Sequence, residues 1–162
     1  MNTNTPSSPP TVKEFYGHDH ARLDILLQQF ERCNASDPVK AASLFDQFKS
    51  GLERHILWEE EILFPIFEDK TGLRGVGPTA VMRFEHSQIK DLLARIQSAL
   101  ARPAPASPTD LFALKDLLVQ HNHKEENILY PGMDSMLDAN ECARVFAEME
   151  KYPDAPSDPM RA

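Results

Sequence analysis

The chain has 162 residues, 41% of them hydrophobic, enough for one domain with a real core and no sign of a second. A formal net charge of −8, with no basic cluster to relieve it, argues against nucleic acid as a partner. No run approaches the roughly 20 apolar residues that span a bilayer, and the opening MNTNTPSSPPTVKEF has no apolar leader core, so a soluble, cytoplasmic protein with no membrane partner is expected.

In chain order, residues 1–11 are polar and Pro/Ser/Thr-rich and are expected to be a disordered tail. A first amphipathic helix is predicted over 12–33, closed by NASDP, and a second over 38–69, closed by TGLRGVGP. A third follows over 79–101, ended by RPAPASP, and a fourth over 109–130, with Thr109 or Asp110 as its cap. Residues 135–151 could form a short fifth helix before a Pro-rich tail, 152–162, that is expected to be disordered. There is no competing strand pattern. Four long amphipathic helices with short connections predict an all-α, up-down-up-down antiparallel four-helix bundle spanning 12–151.

The seams of these helices carry polar residues where apolar ones belong. Steps of four and three give Tyr16, His20, Leu23, Leu27, Phe30 on the first, and Ala41, Phe45, Phe48, Leu52, His55, Glu59, Ile62, Ile66 on the second. The third reads Met82, His86, Ile89, Leu93, Ile96, Leu100, and the fourth Leu111, Leu114, Leu118, His121, Glu125, Ile128. Residues four apart on a helix share a face, so His55 with Glu59, and His121 with Glu125, point into the same packed interior. A buried carboxylate without a partner costs several kcal/mol, so a compensating group is implied.

The halves of the chain repeat. His86 − His20, His121 − His55, Glu125 − Glu59 and Pro131 − Pro65 are each 66 residues, and apolar pairs such as Leu23 with Ile89 and Leu52 with Leu118 obey the same offset. The bundle is therefore built from two repeated helical hairpins. At about 1.5 Å rise per residue, His20 and His55 lie only a few Å apart in level, and the second hairpin repeats this. Four histidines and two glutamates converge, a donor set that suits iron, manganese, zinc or copper. Four neutral imidazoles and two carboxylates carry charge −2, which offsets half the charge of two divalent ions and leaves room for a bridging oxide, hydroxide or exogenous anion. Two-fold symmetry gives each metal two histidines, with Glu59 and Glu125 as bridges and open positions remaining.

The other polar and aromatic residues are read against this pattern. His18 and His123 sit about 200° around the helix from His20 and His121 and have Phe84 and Leu57 as their repeat counterparts, so they are not expected to be ligands. Glu60 and Glu126 obey the offset but lie about 140° round from the histidines, which suits a role behind the ligands or on the helix flank. Glu53 and Glu61 are read as solvated, Trp58 and Tyr130 as packing residues, and Tyr16 as able to reach the site through its hydroxyl. Cys33 and Cys142 lie far apart without CxxC spacing and are read as reduced thiols.

DHARLDILL with HILWEEEILFP, then EHSQIKDLL with HNHKEENILYP, resembles the hemerythrin-like proteins with the HHE cation-binding domain, over about residues 15–131. The resemblance implies a non-haem di-iron site, two iron ions with an oxo or hydroxo bridge, and ligand roles for His20, His55, Glu59, His86, His121 and Glu125. Oxygen-carrying members have a histidine pair four apart on the third helix, where this chain has Met82 and Lys90 around His86. The four-histidine set is more similar to the branch linked to iron–sulfur repair and nitric oxide chemistry. The expected function is binding of, or reaction with, dioxygen, peroxide or nitric oxide in redox sensing or stress defence, by a monomer or homodimer. Iron storage or metal handling, and a binding module stapled by a structural metal, are the alternatives.

Overall fold

The computed structural model describes residues 8–102 and 104–152, and the expected tails lie mostly outside them. The helices are α1 (Val12–Cys33), α2 (Pro38–Trp58), α3 (Phe64–Thr71), α4 (Pro78–Leu100), α5 (Pro108–Lys124), α6 (Tyr130–Met136) and α7 (Ala139–Met149). Two π turns, Glu59–Leu63 and Glu125–Leu129, join α2 to α3 and α5 to α6, so each of these pairs is one long rod. No strand occurs among the described residues. None of the described helices is long and apolar enough to cross a membrane.

Local chemistry sets the ends. Thr11 and Glu14 form a capping box on α1, and Asp138 and Glu141 form one on α7. Pro38, Pro78 and Pro108 each stand in the first turn, where a missing N–H costs nothing. The second rod ends at Gly72, left-handed at φ 73°. Most boundaries lie within two residues of the sequence expectation, and the fourth and fifth helices depart furthest. The fourth helix starts at Pro108 behind Ser107, not behind Thr109 or Asp110, because proline pre-sets the helical φ. It runs on to Met136, and the fifth helix begins at Ala139 because Leu137 is extended.

The rods are antiparallel and arranged in a ring. Phe30 meets Phe45, His20 meets His55 and Tyr16 meets Trp58, so the sequence runs up one helix as it runs down the next. Arg95 with Asp110 and Glu85 with His121 show the same for α4 and α5. Contacts of Gln97 with Asp46 and of His86 with Glu60 pair the second rod with α4, and Lys115 with Glu31 and His20 with Glu126 close the ring. This is the expected four-helix bundle, with α7 laid across one end.

Its core is divided. One apolar cluster, including Leu27, Phe30, Phe45, Leu93, Ile96 and Leu114, fills the loop end of the two hairpins. A second, including Tyr16, Leu63, Phe64, Tyr130, Val145 and Met149, fills the end closed by α7. A layer of buried polar residues separates them: His20, His55, Glu59, His86, His121 and Glu125.

Candidate metal centre

A π turn begins at each glutamate of this layer and resets the facing of the residues beyond it. Phe64 N–H bonds to Glu59 O and Tyr130 N–H to Glu125 O, five residues back in place of four. Pro65 and Pro131 come one residue later; each lacks an N–H, and its ring would crowd the carbonyl four residues back in a regular helix. The wider turn relieves the crowding, and the carbonyl of Glu60 takes a hydrogen bond from Arg83 Nη2 at 3.1 Å. Beyond the extra residue every facing shifts. Ile128, predicted in the seam, is 64% exposed, and Leu129 is buried in its place; Ile66 is only partly buried and Phe67 takes the interior position.

All six sequence-predicted residues meet. Candidate donor atoms of Glu59, His86, His121 and Glu125 lie within 4.8 Å of one another, as do those of His20, His55 and Glu125. The rings of His20 and His55 are 4.6 Å apart and those of His86 and His121 4.8 Å apart. Nε2 of His121 lies 2.9 Å from Glu125 Oε1, and Nε2 of His20 lies 3.3 Å from Glu125 Oε2. His86 Nε2 approaches Glu59 Oε2 to 3.1 Å without hydrogen-bond geometry. His18 and His123 are exposed and outside the layer.

Behind each imidazole stands a carboxylate. Nδ1 of His20 is 2.7 Å from Glu126, that of His86 2.9 Å from Glu60, that of His55 2.9 Å from Asp19 and that of His121 2.9 Å from Glu85. Glu60 and Glu126 thus stand behind the histidines. Sequence reasoning missed Asp19 and Glu85, although 85 − 19 is again 66 and each directly precedes a seam histidine. Occupying Nδ1 in this way turns every Nε2 toward the centre of the layer.

The charges are strongly coupled. Burial works against charge on His55, but the Glu59 carboxylate and the hydrogen bond to Asp19 hold its pKa up to about 10. Burial likewise opposes charge on His86, whose pKa the facing Glu59 carboxylate and the hydrogen bond to Glu60 raise to about 9. His121 is also raised, by Glu125 against burial. Burial alone would raise the Glu59 carboxyl, but His55 and His86 hold it well below its ordinary value. Asp19 is lowered to about 2 against burial by its bond to His55.

One aromatic residue differs from expectation. Tyr130, read as a packing residue, places its hydroxyl in the layer, donating to Glu59 Oε1 at 2.6 Å and lying 2.9 Å from Glu125 Oε2. The π turn brings it there. Tyr16, able by its place in the seam to reach the site, instead directs its hydroxyl to Met149 Sδ at 3.5 Å, and its ring meets that of His55 edge to face at 5.1 Å.

The residues present fit a metal. Among the described residues, Glu59 Oε2, His86 Nε2 and Glu125 Oε1 are buried with no hydrogen-bond partner, and all three face the same small volume. Imidazole nitrogen and carboxylate oxygen together suit iron and its neighbours. A groove of about 730 Å³ runs between α1 and α5, lined by Asp24, Leu27, Glu31, Lys115 and Glu126. Glu126 connects it to His20.

Comparison with known proteins agrees with this geometry. Residues 11–132 match the model of the hemerythrin HHE cation-binding domain, and the chain belongs to that family. It is 31% identical over 131 residues to the iron-sulfur cluster repair protein YtfE of Escherichia coli O81, covering 70% of this chain and 60% of the relative. It is 28% identical over 150 residues to an uncharacterized hemerythrin-like protein of Schizosaccharomyces pombe, covering 87% of this chain and 72% of the relative. A DNA nickase of Nostoc sp. is 29% identical over 139 residues, covering 86% of this chain but 38% of the relative. The chain thus spans less than two thirds of the length of the nickase and repair-protein relatives, between 38% and 61%. No solved structure matches it.

Proposed function

We propose that this chain is a non-haem di-iron protein in which His20, His55, Glu59, His86, His121 and Glu125 hold two iron ions, and that the site binds or reacts with dioxygen, peroxide or nitric oxide in redox sensing or stress defence. The observation that carries this is the set of three orphaned buried donor atoms in a layer where every histidine has its Nδ1 fixed by a carboxylate. A purely structural polar layer would leave no buried acceptor unsatisfied. Iron bound there would supply one-electron chemistry and coordination positions open to a small ligand. The chain's own contribution is positional. Asp19, Glu60, Glu85 and Glu126 orient the imidazoles, the apolar clusters above and below exclude bulk water, and the groove lined by Glu126 brings open space up to the carboxylate behind His20. A cytoplasmic location and a monomeric or homodimeric state complete the reading.

Elemental analysis after iron-replete growth should return about two iron ions per chain. A single metal, or zinc alone, overturns the di-iron assignment. Anaerobic ferrous protein mixed with air or nitric oxide should change its visible absorption, and an unchanged spectrum would overturn the reactive part. Similarity to iron-sulfur cluster repair proteins favours a second reading, a role in such repair, tested by whether the iron-loaded protein restores a damaged iron–sulfur enzyme.

A further inference from the structure

The 66-residue symmetry covers the histidines, the two central glutamates and the four carboxylates behind the rings, but it fails at the rings that cover the layer. Tyr130 stands where the other half has Phe64, and Tyr16 where it has Met82. Phe64 stacks on His86, with ring centroids 5.7 Å apart and planes 6° from parallel. Tyr130 takes the equivalent place over His20 at 5.9 Å and 33°. Over the imidazoles the two half-sites therefore place equivalent rings, and Tyr130 carries an oxygen that Phe64 lacks.

That oxygen is surrounded by the candidate donors. The fully buried Tyr130 hydroxyl lies 2.6 Å from Glu59 Oε1, 2.9 Å from Glu125 Oε2, 3.3 Å from His55 Nε2 and 3.5 Å from His20 Nε2. Donors bound to one metal at about 2.0–2.2 Å stand roughly 3 Å from each other, so these separations are those of a common coordination sphere. The count of donors points the same way. The His86–His121 half gathers four donor residues, Glu59, His86, His121 and Glu125, whereas the His20–His55 half gathers three, with Glu125. Tyr130 supplies the missing fourth.

We propose that Tyr130 is a metal ligand, binding ferric iron through its phenolate oxygen at the His20–His55 half-site and making the two halves chemically unequal. The assignment rests on the di-iron reading above. As the oxygen enters the coordination sphere, the hydroxyl proton that Glu59 accepts in the metal-free site is released to solvent. A hard anionic oxygen favours ferric over ferrous iron, so the iron beside Tyr130 is the harder of the two to reduce.

The test is spectroscopic and uses the full chain, loaded with iron and oxidised. Tyrosinate bound to ferric iron gives a visible charge-transfer band and resonance-enhanced ring vibrations that histidine and carboxylate ligands do not. The wild type should show both. Tyr130→Phe should lose both while keeping its iron, and Tyr16→Phe should keep them. Ring vibrations absent from iron-replete wild type, or a band unchanged in Tyr130→Phe, would overturn the assignment and leave the di-iron reading standing. Wild type that takes up no iron would overturn both. Should Tyr130→Phe fold poorly, the wild type and Tyr16→Phe decide: ring vibrations kept in Tyr16→Phe support the assignment, and vibrations absent from the iron-replete wild type or lost in Tyr16→Phe overturn it.

Discussion

Glu59 and Glu125 are the residues on which the layer turns, because each is fully buried and each reaches histidines of both hairpins. Glu59→Ala and Glu125→Ala should each abolish metal binding and should resemble one another, since the repeat makes them equivalent. His18→Ala and His123→Ala, altering exposed side chains, should leave metal content unchanged. Metal analysis of the four proteins checks this, and loss of metal in either histidine variant would mean that the symmetry misplaces the site. The carboxylates behind the imidazoles call for a finer measurement. Asp19→Asn and Glu85→Gln remove a charge that orients His55 and His121, so each should weaken iron binding by about 10–100-fold in competition with a chelator. Glu60→Gln and Glu126→Gln should do the same through His86 and His20.

At the level of the helices, the close approach of α1 and α2 depends on Gly51. A Cβ there would lie 2.8 Å from Leu23 Cδ2, inside the apolar cluster. Gly51→Ala should therefore cost about 1–3 kcal/mol through overpacking, more than the roughly 0.5–1 kcal/mol that alanine contributes to a helix. Gly132, on α6, has open space where a Cβ would stand, with nothing within 4 Å, and should show only the favourable part when changed to alanine. Denaturant melts of the two variants should move in opposite directions. The helices themselves are readable from hydrophobic spacing: α1 has the expected bounds, and the seam residues from Tyr16 to Leu118 are buried apart from Leu100 at a helix end and Ile66 beyond the first π turn. The π turns are not, because counting at 3.6 residues per turn assigns every later residue a facing and has no place for an inserted one. That single omission puts Ile128 inside, leaves Leu129 out and hides the Tyr130 hydroxyl among packing residues. Pro65 and Pro131 are the available signal, since a proline inside a helix strains the turn before it and both stand at the same place in the repeat.

For the molecule as a whole, the polar layer lies between two apolar clusters that are held together through it, so whatever fills the layer decides how stably the ends are joined. Without metal, the layer relies on imidazolium–carboxylate pairs. His55 and His86 have folded pKa values of about 10 and about 9, both above the ordinary 6.5, so their stabilisation is fully present below about pH 6.5 and is lost as pH rises through 9 and 10. The metal-free protein should melt at progressively lower temperature across that window. A metal needs those nitrogens unprotonated, so protons compete with it, and its affinity climbs over the same range. Metal present at about 1,000 times its Kd stabilises by about 4 kcal/mol, or roughly 8–16 °C in a domain of this size. Melting curves of loaded and metal-stripped protein should therefore be separated by many degrees, with a gap that widens from about pH 6.5 to about pH 9. A gap that narrowed with rising pH would mean that the histidines are neutral in the metal-free layer, and the absence of any gap would mean that the layer is satisfied without metal.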